Sequence, residues 1–313
     1  MGYKKPAKIV LALIIGAAVV YYVVRTLHDN AAQLKEHNFV FRYDYLAISY
    51  LLLIANQAIV PVMWKRICNC FGVKISYRDS LEVLFLSYLT RYVPGKVLTV
   101  VSQVGLAREK KVPVEFSFPT AILLQIFNII VGLQVFVLTF LLWPETTLAA
   151  KSAVLLAGVV VLLASLQTRF LRKAVRFALN KLKRSEVSFD MPWTESLALQ
   201  GLLLASWGLY CPAVYFFMRS FWDISPVQCL IVTGIQAISW LIGYYTLISP
   251  GGIGVREGVQ IVLLGRAFSP PFTVLIPIAL RLWMTVGDIL VFSVGLAVRL
   301  LGSRKGATAR TGP

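Results

Sequence analysis

Six stretches of this chain stay apolar long enough to cross a bilayer: 9–25, 45–64, 116–142, 148–166, 197–218 and 272–299. A spanning helix needs about 20 mostly apolar residues. In hydrocarbon every backbone N–H and C=O must find its partner inside the protein, so such runs can only be helices. Composition agrees: 58% of the 313 residues are hydrophobic and 14% are charged, against about 45–50% and about 25% in soluble domains. A soluble globule with so little polar surface could not cover its own exterior. An ordinary cytosolic enzyme, a disordered chain and a disulfide-stapled secreted domain are excluded.

Two further apolar segments, 81–108 and 228–266, are each broken by a Pro-Gly turn. The first break reads Tyr92-Val-Pro-Gly-Lys96 and the second Ser249-Pro-Gly-Gly-Ile-Gly-Val-Arg-Glu-Gly258. In the first segment, limbs of about a dozen residues make about 18–20 Å of helix, too short to cross. Each segment is therefore expected to be a re-entrant hairpin that dips in and returns to the same side, its irregular tip shielded by protein or facing a water-filled cavity.

The formal net charge of +17 would suggest nucleic acid in a soluble chain. Here most of the 31 Lys and Arg fall in 1–8, 65–80, 108–115, 167–196 and 299–313. Those segments share one side if both hairpins are re-entrant. The opposite segments hold only Arg25, Lys35, Arg42, Lys151, Arg219 and Arg266. The positive-inside bias then places both termini in the cytoplasm, and no nucleic-acid partner is expected. The run 9–25, preceded by Lys4, Lys5 and Lys8, is read as a retained first span rather than a signal peptide. The stretch 167–196 is expected to be a basic, amphipathic cytoplasmic connector along the inner headgroups, or a topology-setting loop. Cys68 and Cys70 lack metal or redox spacing, and Cys211 and Cys229 sit in apolar runs. No disulfide, metal or cofactor is expected.

Pro94-Gly95 and Pro250-Gly251 lie 156 residues apart, and the same shift lays 45–64 on 197–218 and 116–142 on 272–299. The chain thus reads as a single membrane domain, 1–313, with repeat one at about 45–142 and repeat two at about 197–299. Repeat one starts outside and repeat two inside. The repeats are inverted, and the hairpin tips approach from opposite faces. The expected fold is an all-α polytopic membrane protein: about six full spans plus two re-entrant hairpins in inverted repeats.

Ionisable residues at such depth are costly and usually face a cavity or a partner. Arg91 and Lys96 flank the first Pro94-Gly95; Arg256, Glu257 and Gly258 follow the second break. Arg281 and Asp288 share a face of the last span, and Gln125 is the repeat mate of Arg281. A glycine-rich break opens helix N–H groups to an anion, and Gly251, Gly252 and Gly254, after Pro250, let backbone approach a ligand closely. With the Arg256 fork these residues suit a phosphate-bearing headgroup. The competing reading is that Arg256 and Glu257 pair with Asp288 and Arg281 and lock helices together. No Walker A loop, HExxH, GxSxG or GxGxxG is present and the long apolar runs hold no histidine, so neither ATP-driven pumping nor a histidine-based catalytic site in the membrane is expected of this chain.

Arg91-Tyr-Val-Pro-Gly95 followed by Ser-Pro-Gly-Gly-Ile-Gly-Val-Arg-Glu-Gly258 resembles the flippase-like membrane domain of lysylphosphatidylglycerol synthases, over residues 10 to 300. The second element is the more specific. The family usually has an Asn shortly before the first Pro-Gly and an acidic residue after it, where this chain has Thr90-Arg91 and Lys96. The resemblance implies a stand-alone member in the cytoplasmic (inner) membrane of a prokaryote. It implies that lipids with anionic headgroups are its partners and that it moves a phospholipid, an aminoacylated lipid or a polyprenyl-phosphate-linked lipid between leaflets. The synthases' soluble aminoacyl-transferase domain has no counterpart in these residues, so lysine transfer is not expected. Two alternatives stand beside translocation. One is an accessory subunit docking a glycosyltransferase or lipid synthase through 169–184; the other is a lipid-modifying enzyme with Glu257 as base.

Overall fold

The computed structural model describes residues 41–92, 97–143, 146–166, 168–181, 189–246, 252, 254–268 and 272–308. The expected first span 9–25 and the positions Pro94, Gly95, Lys96, Pro250 and Gly251 lie outside these residues. Among the described residues all regular structure is helical. Five helices are long and apolar enough to cross a membrane, and the chain is a multi-pass membrane protein.

Four of the five sit close to the expected runs: α1 (Tyr43–Asn69), α4 (Val114–Phe140), α7 (Trp193–Arg219) and α10 (Phe272–Thr308). Each carries an interior proline, at Pro61, Pro119, Pro212 and Pro277 respectively. Proline removes one helical hydrogen bond and bends the helix, which a surrounding bundle tolerates. Between α1 and α4 lie α2 (Tyr77–Ser87), a 3₁₀ turn at Tyr88–Tyr92 and α3 (Val97–Glu109). The limbs have 11 and 13 residues, too short to span.

The second broken segment is asymmetric. Its first limb, α8 (Pro226–Tyr245), has 20 residues, about 30 Å of helix, and is the fifth span-length helix. Its second limb, α9 (Val255–Leu264), has only 10. The helix begins where the Ser225 side chain accepts from the Gln228 N–H and the Gln228 side chain accepts from the Ser225 N–H, with Pro226 at the first helical position. Ser76 caps α2 likewise, accepting from the Asp79 N–H at 3.0 Å.

Of the remaining helices, α5 (Leu148–Leu166) is apolar and largely exposed, and its span-like stretch is shorter than the others. The amphipathic helix expected in the basic connector is α6 (Thr168–Lys181). Its Leu171, Val175 and Leu179 are buried in the protein's own core beside Phe71 and Met191. These three face the helix bundle, while Phe170 and Phe177 of the same helix are exposed.

Antiparallel pairs organise the bundle. The α1–α7 seam is tied near both ends and in the middle. The Arg42 N–H donates to the Ser220 carbonyl at 2.7 Å, Asn56 Nδ2 donates to Ser206 Oγ at 2.7 Å, and Arg66 forms a bidentate pair with Glu195, both bonds 2.7 Å. In α8, Gly234 lies against Thr139 of α4, and in α10, Gly295 lies against Phe85 of α2. Glycine at each crossing lets the backbones approach, the usual device where lipid supplies no hydrophobic drive between helices.

The core falls into two apolar clusters. One, around Trp64, Phe85 and Phe127, occupies the basic end; the other, around Phe217, Ile276 and Trp283, occupies the opposite end. At the basic end Lys110 Nζ meets Glu82 at 2.6 Å and Asp79 at 3.2 Å, and Arg299 meets Glu109 at 2.7 Å. Burial lowers the Lys110 pKa, but hydrogen bonds to Glu82 and Asp79 outweigh it and hold the ammonium above its ordinary range.

Candidate functional site

Between the two apolar clusters lies a cavity of about 220 Å³, lined by apolar side chains with polar ones among them. Its wall takes side chains from both broken segments and from all four proline-bearing helices. Arg91, Gln125, Arg256, Arg281 and Asp288, five of the residues singled out in the sequence, all line it.

Arg256 enters from the first turn of α9 and is 7% exposed. Its backbone packs against Gly243 of α8, where an added Cβ would stand 3.0 Å from Arg256 Cβ. Gly252, at φ 74°, lies so close to Gly243 that a side chain would meet its carbonyl oxygen at 2.9 Å. At Gly252 only glycine serves, and at Gly243 a side chain would press on Arg256. The guanidinium Nη2 donates to Gln236 Oε1 at 2.7 Å and approaches Met284 Sδ at 3.0 Å. Gln260 Nε2 donates to the same Gln236 oxygen at 2.7 Å. Arg256 is thus held by neutral groups and not by Asp288.

Glu257 turns the other way. Its Oε2 accepts from the Gly254 N–H at 2.7 Å, and its Oε1 lies 3.7 Å from Arg281 Nη1. Gly254, at φ 87°, precedes the helix in a conformation that favours glycine. The anion-attracting start of α9, expected to receive a ligand phosphate, is therefore capped by the helix's own carboxylate. The helix-locking reading holds for the Glu257–Arg281 pair. Gly258 is exposed on the outer side of α9.

From the first segment, Arg91 lies 3.4 Å from Asp288 Oδ1 of α10, its guanidinium 4.2 Å from the Tyr88 ring centre. This contact joins the 3₁₀ turn of one half to the last helix of the other, although the competing sequence reading assigned Asp288 to Arg256. Gln125 stands on the α4 wall, its Oε1 buried without a hydrogen-bond partner.

Several lining residues were missed in the sequence: Gln103, Asn128, Gln236, Trp240 and Tyr244. Their signal was spacing. Gln125 and Asn128, Gln236, Trp240 and Tyr244, and Arg281, Met284 and Asp288 recur three or four residues apart on apolar helices, drawing one polar or aromatic stripe per helix. Cys211 and Cys229, read as separate small hydrophobes, have sulfurs 4.0 Å apart across α7 and α8.

The arrangement can hold an anionic group on guanidinium forks inside an apolar bundle. Glu257 and Asp288 both face arginines. The chain matches no curated protein and no solved structure. The family model described as the lysylphosphatidylglycerol synthase TM region matches residues 9–291; that span takes in every residue of the cavity wall, and the chain belongs to this family.

Proposed function

We propose that the protein is a lipid translocase that carries a phosphate-bearing headgroup through the membrane while the acyl chains stay in the bilayer. The observation that carries this reading is the cavity, walled by Arg91, Arg256 and Arg281 and lying between two apolar clusters. Three guanidinium groups at such depth are costly unless they serve a partner or a ligand. Family membership supports a lipid-related membrane role.

The packing supports two inverted units. Helix α1 pairs antiparallel with α7, each 27 residues long. Helix α8 crosses α4 at Gly234 as α10 crosses α2 at Gly295, and serine caps open both α2 and α8. Exchanging the two units turns the α4–α8 pairing into the α10–α2 pairing, with the glycine on α8 in one and on α10 in the other. The broken segments are then the moving parts: the short-limbed α2–α3 pair on one side and, on the other, the span-length α8 followed by the short α9. The basic end, with Arg66, Lys110 and α6, faces the cytoplasm.

Docking of a partner enzyme on α6 would leave the arginine-walled cavity without a task, and a lipid-modifying enzyme would need Glu257 freed from the Gly254 N–H and Arg281. The test is leaflet exchange in proteoliposomes, with phosphatidylglycerol, aminoacylated phosphatidylglycerol and a polyprenyl phosphate carrying head-group labels. Protein should accelerate exchange of at least one lipid over empty liposomes, and Arg256→Ala should remove the acceleration. Exchange no faster than in empty liposomes for all three lipids refutes the reading. A lipid recovered with altered mass replaces it with an enzyme.

A further inference from the structure

Two side chains that the cavity does not use meet at the end of the bundle opposite the basic one. Cys211 of α7 and Cys229 of α8 have sulfurs 4.0 Å apart, and neither lines the cavity. Both pack in the apolar cluster around Trp283. Cys229 sits on the first turn of α8, four residues after the Ser225 cap, and is 1% exposed. Cys211 is only half-buried. A short turn joins the two helices, and its Asp223 and Ser225 are exposed. The pair therefore lies just beneath an exposed corner of the protein.

The geometry favours a bond between the two sulfurs. A disulfide needs them about 2.0 Å apart, and turning one or both χ1 angles moves a sulfur by that much. The backbones already meet here, since the Cys229 thiol donates to the Cys211 carbonyl at 3.4 Å. All four cysteines are free thiols, but Cys68 and Cys70 stand two residues apart at the end of α1, and side chains at that spacing do not face each other on a helix. On the orientation proposed above, the Cys211–Cys229 end faces away from the cytoplasm, and disulfides form and persist in the oxidising compartments outside it.

We propose that Cys211 and Cys229 are a reversible dithiol–disulfide site, and that the oxidised form fastens α8 to the α1–α7 seam. The effect on transport rests on the translocase reading; the bond itself does not. The oxidant is a disulfide-bearing molecule at the outer surface. The thiolate of Cys211, the more exposed of the two, attacks one sulfur of that disulfide and expels the other as a thiolate. Cys229 then attacks the Cys211 sulfur of the mixed disulfide and expels the second thiolate. One S–S bond forms as one breaks, two electrons leave the cysteine pair, and its two protons end on the two expelled thiolates. The bond acts at a distance from the cavity. Cys229 stands seven residues before Gln236, about 10 Å along α8, and Gln236 holds Arg256. The helix that carries this contact is then fixed to the pair already tied at Arg42–Ser220, Asn56–Ser206 and Arg66–Glu195.

The experiment equilibrates the purified full chain with graded mixtures of reduced and oxidised glutathione, quenches it with acid, alkylates the remaining thiols and maps the peptides by mass. A linked Cys211–Cys229 peptide should come to dominate as the mixture becomes oxidising and vanish again under reduced glutathione, while Cys68 and Cys70 stay alkylated. Free thiols at both positions across the series overturn the proposal, and a link that reduced glutathione does not reopen overturns its reversibility. Cys229→Ser should accumulate a glutathione adduct on Cys211, whereas Cys211→Ser should leave Cys229 unmodified; the opposite pattern overturns the entry role of Cys211. Should a serine variant not fold, the alanine variant takes its place. Oxidation should raise the unfolding temperature of the unsubstituted chain and bring its leaflet exchange down to that of empty liposomes. Both effects should be reversed by reductant and missing from Cys229→Ser. An oxidised chain that exchanges lipid as fast as the reduced one overturns the fastening. A bond that forms and stabilises a chain exchanging no lipid in either state refutes the translocase reading and keeps the site.

Discussion

Replacing Glu257 separates a structural clamp from a ligand site. Its carboxylate caps the Gly254 N–H at 2.7 Å and stands 3.7 Å from Arg281. A hydrogen bond to a charged group contributes about 1.5–3 kcal/mol and a neutral one about 0.5–1.5, so Glu257→Gln loses about 1 kcal/mol at the cap even if the amide oxygen takes over. At the ion pair, the Coulomb attraction is about 4–5 kcal/mol at an effective dielectric near 20. Desolvation cancels much of it and leaves about 1–2 kcal/mol of coupling. Glu257→Gln should therefore cost about 2–3 kcal/mol, and Glu257→Ala, which abandons both partners, about 3–5 kcal/mol. The assay is reversible unfolding in mixed micelles, followed by tryptophan fluorescence, over a cycle of Glu257→Gln, Arg281→Gln and the double variant. A coupling energy below about 0.5 kcal/mol refutes the clamp, because residues in contact that truly interact are not additive.

At the α4–α8 crossing, Gly234→Ala drives a methyl into Thr139 and should cost about 1–3 kcal/mol in the same unfolding assay. Thr139→Ala should restore part of the loss, and no recovery would place the strain elsewhere. Oxidation with copper–phenanthroline should couple Cys211 to Cys229, whose sulfurs lie 4.0 Å apart, read as loss of two hydrogens by intact mass; two thiols still alkylatable afterwards would contradict the α7–α8 register. Lys110 is held above its ordinary pKa, so its ion pairs are complete below the unfolded lysine value and fade only as pH rises past it. Melting temperature should stay flat from about pH 7 to about pH 9, with Lys110→Gln lower throughout. A decline across that window that Lys110→Gln abolishes would overturn the assignment.

The long spans were legible because twenty apolar residues in a row admit one structure, and α1, α4, α7 and α10 fall close to the runs that announced them. The Pro-Gly positions themselves lie outside the described residues, but the flanking elements end at Tyr92 and Tyr245 and resume at Val97 and Val255, as breaks there require. The unequal limbs of the second segment were not legible, because hydropathy records that 228–248 is apolar and not where its helix begins. The Ser225–Gln228 capping box was written there, but it is a local signal inside an apolar stretch. Among candidate residues, depth was readable from charge and partner was not. Glu257 looked like part of an anion site, and the Gly254-to-Glu257 spacing was equally the mark of a helix cap. The glutamines of the wall went unnoticed because an uncharged amide barely disturbs an apolar run, yet once buried its hydrogen bonds matter as much as an ion pair.

Three ties at different depths make the α1–α7 seam a spindle. On the proposed translocase reading, a rearrangement that opens the cavity to either compartment leaves Arg42–Ser220, Asn56–Ser206 and Arg66–Glu195 unbroken while α2–α3 and α8–α9 swing about the seam. Spin labels at Tyr43 and Phe221 would then keep one separation through the whole cycle. A label on α9 measured against either would report the stroke.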